Sequence, residues 1–228
     1  MYVPNYIPEP LEVPGNVTEQ SYFVRLRFVR RVSLLHLGSL ALIGLMQFLP
    51  WPDVGIPLPL LVLAFALVGL EVARIAMRRL AIEPKIAVAA LPLVLVLCAW
   101  SARSLTAQHL PTWTLSAGPI AAIIYAAISG RDYSFVGCYL LSLISSTVGI
   151  AALSVVLRLS TPEAAWALGG NAAYLTYFVY DLASLQARRR LGEELAAVVD
   201  LYRDVFNIFG YVTRVIGHWK KHRIWASR

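Results

Sequence analysis

The stretch from Leu195 to Gly217, LAAVVDLYRDVFNIFGYVTRVIG, sets a row of ionisable and polar groups in an otherwise apolar sequence. Wound as a helix, Asp200, Arg203, Asp204, Asn207, Tyr211 and Arg214 fall at i, i+3, i+4, i+7, i+11 and i+14, on a single face. That face cannot look at lipid. Either it lies at a membrane surface towards water, or it is buried in a bundle where other helices satisfy it. A second acid, Asp181, sits in the preceding apolar run and shares a helical face with Asn171, Tyr174 and Phe178. If the two stripes meet, Asp181 comes near Asp204. Two carboxylates so placed titrate as a unit and offer oxygen ligands to a hard cation such as calcium. The plainer alternative ties each acid to an arginine or tyrosine and simply locks helices together. A third intramembrane acid, Glu71, has Arg74 and Arg78 three and seven residues further along its helix and reads as a packing or latch partner.

The elements that must position these groups are membrane spans. The chain has 228 residues, 58% hydrophobic and 14% charged, with a mean hydropathy of +0.65. Its apolar residues come in runs long enough to cross a bilayer. Span 1 is expected over 33–49, span 2 over 58–77, and span 3 over 83–102, kinked at Pro92. Span 4 follows Pro111, ends at Gly130 and contains Pro119; its Gly118, Ala122, Ala126 and Gly130 form a small-residue stripe suited to close packing. Span 5 covers 133–157. Span 6 opens on Ser160-Thr161-Pro162-Glu163, a cap, a first-turn proline and an early acid in the expected order, and runs to about Gln186. The fold class is therefore an all-α membrane protein. Residues 1–24 form an extended proline-rich arm, 25–217 a seven-helix membrane domain of six spans around a C-terminal amphipathic helix, and 218–228 a basic tail.

The net charge of +7 and pI near 9.6 do not point to nucleic acid, because the basic residues sit at helix ends and orient the chain instead. With the N-terminus cytoplasmic, the loops after spans 1, 3 and 5 hold only Arg103 and Arg158. Arg188, Arg189 and Arg190 read as orienting charges. The tail bases Lys220, Lys221, Arg223 and Arg228 favour the inside, so the last helix either crosses or is re-entrant. No cleavable signal is expected, and the Asn16-Val17-Thr18 sequon reads as chance. Cys98 and Cys138 read as inert core thiols. Enzyme chemistry is not indicated: no nucleophile, base and orienting group occur at a recognisable spacing, and His218 and His222 fit a membrane-surface anchor better than a metal site.

YFVYDLASL, followed 23 residues from aspartate to aspartate by DLYRDVFNIFGYVTRVIG, resembles the last two helices of the Bax inhibitor-1 family. VRLRFVRRV before span 1, GLEVA and MRR in span 2, and GRDYSFVG between spans 4 and 5 carry the resemblance from about Arg25 to Gly217. It implies a bundle in which two groups of three helices wrap the C-terminal helix, in a bacterial inner membrane. It also implies a pH-sensitive calcium leak gated by an aspartate pair, Asp181 and Asp204, which would be the cation ligands; no other cofactor is implied. The family's latch arginine maps onto Arg78, with Arg79 the alternative. Where the family usually has an aliphatic residue, this chain has Arg203, which can pair harmlessly with Asp200 or reach the aspartates, hold them ionised and repel calcium. Apart from the lipid bilayer, the arm and basic tail leave room for a membrane-protein partner, so the alternative to a channel is an accessory or regulatory subunit of a larger inner-membrane complex or membrane protease.

Overall fold

A computed structural model describes residues 13–52, 54–77, 82–129 and 136–204. Arg78, Arg79, Gly130, Asn207, the rest of the seventh-helix motif and the basic tail lie outside the described residues. The described chain is all helix and turn: α1 (Tyr22–Met46), α2 (Pro57–Met77), α3 (Glu83–Thr106), α4 (Ala117–Ser129), α5 (Val136–Val156), α6 (Thr161–Arg188) and α7 (Glu194–Arg203). Short 3-10 turns at Val17–Glu19 and Thr112–Ser116 precede α1 and α4.

Five helical segments, at α1 to α5, are long and apolar enough to cross a membrane, and their outward faces carry large bare apolar side chains such as Phe65, Ile128 and Val155. This is a multi-pass membrane protein. The 28 residues of α6 also exceed the length of a span, but α6, which carries Glu163, Asn171 and Asp181, is not among those five.

Local chemistry sets most of the boundaries. Ser160 caps α6 through a full capping box, its backbone N donating to Glu163 Oε2 at 2.6 Å, with Pro162 in the first turn. Pro84 takes the same early place in α3, and α3 continues through Pro92. Two expectations need correction. α1 starts at Tyr22, eleven residues before the apolar run at Ser33, because the arginines there alternate with Leu26, Phe28 and Val29, which are buried. Pro119 is not internal: residues 112–116 wind as a 3-10 turn, so it falls in the first turn of α4, where a missing N–H costs nothing.

The helices form two groups. α2 and α3 pack as a hairpin with α1 against α3, while α4, α5 and α6 pack on one another. Gly118 makes the α4–α6 contact possible, since a Cβ there would meet Leu175 Cβ at 2.7 Å and Asn171 Oδ1 at 2.9 Å; Ala122 and Ala126 continue the same buried stripe. α7 lodges mainly against α1 and α3 and also touches α2 and α6. Every side chain from Ala196 to Arg203 is buried, so the start of the last helix is packed inside the bundle on all sides.

The arm is not wholly extended. Val17 is completely buried in the main core, and Asn16 accepts from the backbone N and the hydroxyl of Thr18. The arm also satisfies carbonyls left over at the end of α6: Val13 N donates to Ala187 O at 3.1 Å and Val17 N to Arg189 O at 2.9 Å.

Candidate functional site

Four chain segments converge at the end of the bundle where the arm docks. α2 brings Glu71 and Arg74 from its last two turns, α3 brings its first residue Glu83, α6 brings Asp181, Arg188 and the following Arg189, and α7 brings Asp200, Arg203 and Asp204. Glycine makes the return from α6 to α7 possible: Gly192 has φ +90, a left-handed conformation that side chains disfavour.

Asp181 and Asp204, both fully buried, are brought together, but through an intermediary. Arg188 Nη2 donates to Asp181 Oδ1 at 2.6 Å while its Nη1 donates to Asp204 Oδ2. One guanidinium thus bridges the carboxylates with its two terminal nitrogens, a use of the planar fork that a lysine cannot reproduce. Asp181 is further held by Ser184 Oγ at 3.1 Å and by the Tyr177 hydroxyl at 3.3 Å, and that hydroxyl also lies 2.7 Å from Leu201 O on α7. Asp204 Oδ1 lies 3.5 Å from both Arg74 Nη1 and Arg203 Nε.

A second cluster adjoins the first. Arg189 donates twice to Asp200, both at 2.6 Å, and twice to Glu83, at 2.7 and 3.1 Å. Burial alone would lower the Arg189 pKa, but Asp200 and Glu83 more than offset this and raise it above the ordinary arginine value, so it stays charged. Arg203 joins the two clusters. It donates to Asp200, its Nε lies 3.1 Å from Glu71 Oε2, and Glu71 in turn accepts from Arg74 Nη2 at 2.7 Å. Arg203 thus pairs with Asp200 one turn away and also comes within 3.5 Å of Asp204.

Among the described residues, the Asn171–Tyr174–Phe178 face of α6 meets α5 and α1. Asn171 Nδ2 donates to Ser146 on α5 at 2.9 Å, Tyr174 contacts His36 Nε2 on α1 at 2.9 Å, and Phe178 stacks on the His36 ring. The Asp181 end of α6 lies against the described part of α7, where the Tyr177 hydroxyl reaches Leu201 O. Arg188, Arg189 and Glu83 are the members that sequence reading misses. Arg188 and Arg189 look like orienting charges and Glu83 like a first-turn acid, although the seven-residue offset from Asp181 to Arg188 puts both on one helical face.

A cation bound to both Asp181 and Asp204 needs the position that Arg188 now occupies. Among the described residues, no group of three or more His, Cys, Asp or Glu side chains is arranged to hold a metal ion. Cys98 and Cys138 lie in apolar surroundings, and the Cys138 thiol points at Ala122 O at 3.8 Å.

No protein-family model matches the chain, and no curated protein or solved structure matches it.

Proposed function

We propose that this chain is a proton-sensitive cation leak of the Bax inhibitor-1 type, with the structure representing its latched state. The observation that carries the reading is the Arg188 bridge: two buried aspartates on different helices share one guanidinium where those helices meet. Ionised, the aspartates hold α6 and α7 together through Arg188. Protonation of either removes one arm of the bridge and leaves a buried guanidinium short of a partner, which favours separation of the helices. Calcium, as the cargo, would meet carboxylate oxygens only after Arg188 swings aside. The leak therefore rises as pH falls through the titration of the pair. Arg74, one turn before the residues the resemblance marks as the latch, adds its charge to Asp204. The end of the bundle bearing the arm, the α2–α3 connection and Arg188–Arg190 lies in the cytoplasm of a bacterial inner-membrane protein, as the distribution of basic residues favours.

Calcium flux into proteoliposomes tests this. The expected outcome is flux above that of empty liposomes that increases on acidification, and a higher flux at neutral pH for Asp204→Asn. Flux equal to empty liposomes at every pH would sink the channel reading. It would leave the second one, an accessory subunit in which the same network is a static lock. That reading is favoured by Arg203, whose guanidinium ties Glu71, Asp200 and Asp204 into one assembly. Purification of the chain with a bound membrane protein after gentle extraction would support it.

A further inference from the structure

The outer surface carries a feature separate from the ion-paired site. Between α1, α3 and the start of α7 lies an open groove of about 830 Å³. Its walls are Leu34 and Leu35 on one side and Val88 on the other, with Leu195 at its end. These side chains are bare, Leu34 being 60% and Leu195 42% exposed. In a membrane-spanning bundle such a slot faces acyl chains.

One turn nearer the arginine-rich end of the bundle, the lining changes from apolar to charged. Arg31 precedes Leu34 and Leu35 by three and four residues, and Lys85 precedes Val88 and Ala89 by three and four. Helical geometry therefore sets each exposed base above its own apolar pair, about 5 Å along the axis. Two acids also line the groove. Glu193 accepts from the backbone N of Arg190 at 3.0 Å, and Glu194 lies 3.7 Å from Arg31, a loose pair whose guanidinium is 64% exposed and open to a stronger partner. A free anion has no use for the slot and a neutral lipid none for the two exposed bases, while both acids are already engaged; slot and bases together complement an amphiphile with a negative headgroup.

We propose that this groove binds an anionic glycerophospholipid, its phosphate between Arg31 and Lys85 and one acyl chain along Leu34, Leu35 and Val88. Native mass spectrometry of the purified full chain, after exchange with mixed phosphatidylglycerol and phosphatidylcholine micelles, tests it. The wild type is expected to retain phosphatidylglycerol several-fold over phosphatidylcholine. Arg31→Glu with Lys85→Glu removes that preference, and Val88→Trp, which fills the slot, lowers retention of both lipids. The exposed single change Lys85→Gln, which leaves the fold undisturbed, gives a partial loss of preference. Equal retention of the two lipids by the wild type, or an unchanged preference in the charge variants, overturns the proposal. So does displacement of phosphatidylglycerol by soluble glycerol phosphate at matched concentration, which would mark an anion site without a lipid slot.

Discussion

Arg188 is the residue on which the site turns. Its guanidinium contacts Asp181, Asp204 and Ser184 from a buried position, so removing it deprives two buried carboxylates of the cation they share. Arg188→Ala is expected to lower stability by about 3–5 kcal/mol, the usual consequence of deleting one partner of a buried ion pair. Arg188→Lys keeps the charge but reaches only one carboxylate well, and should fall between the two. Denaturant unfolding in detergent measures both. The aspartates were legible in the sequence because an acid inside an apolar run demands explanation. Arg188 was not, since an arginine ending a span already has an explanation as an orienting charge. The same ambiguity hid Glu83, which as the first residue of α3 looks like a response to the helix dipole but accepts from Arg189. The two faces of Arg203 could be stated from spacing, but that it joins both clusters depends on where α2 and α3 end.

At the scale of elements, helix starts were the most readable feature, because a capping box or a first-turn proline acts locally. Ser160 with Glu163, and Pro84, begin helices as their chemistry requires. The early start of α1 and the 3-10 turn before α4 were not readable, because each depends on packing against distant residues. The small-residue stripe was readable in full up to Ala126, and it gives a test. Gly118→Ala places a methyl group against Leu175 and Asn171, and should destabilise the bundle by about 1–3 kcal/mol through overpacking, read as a lower thermal midpoint. The arm gives another. Val17 is fully buried beside the end of α6, so Val17→Asp should cost on the order of a few kcal/mol and loosen the segment that carries Arg188 and Arg189.

For the whole molecule, the multi-pass architecture follows from runs of apolar residues, while the grouping of helices follows from faces that only the folded chain reveals. Orientation can be checked directly. In a background with Cys98→Ala and Cys138→Ala, the exposed positions Arg190 and His109 lie at opposite ends of the bundle. Arg190→Cys should react with an impermeant thiol reagent only in inside-out vesicles, and His109→Cys only in right-side-out ones. The proposed function depends on protonation of the Asp181–Arg188–Asp204 bridge, and calcium flux in proteoliposomes from pH 5 to 8 compares the wild type with Asp181→Asn most directly. The expected result is a wild-type leak that rises as pH falls and an Asp181→Asn leak that is higher at neutral pH and nearly flat. An Asp181→Asn variant that keeps the wild-type pH profile would contradict it.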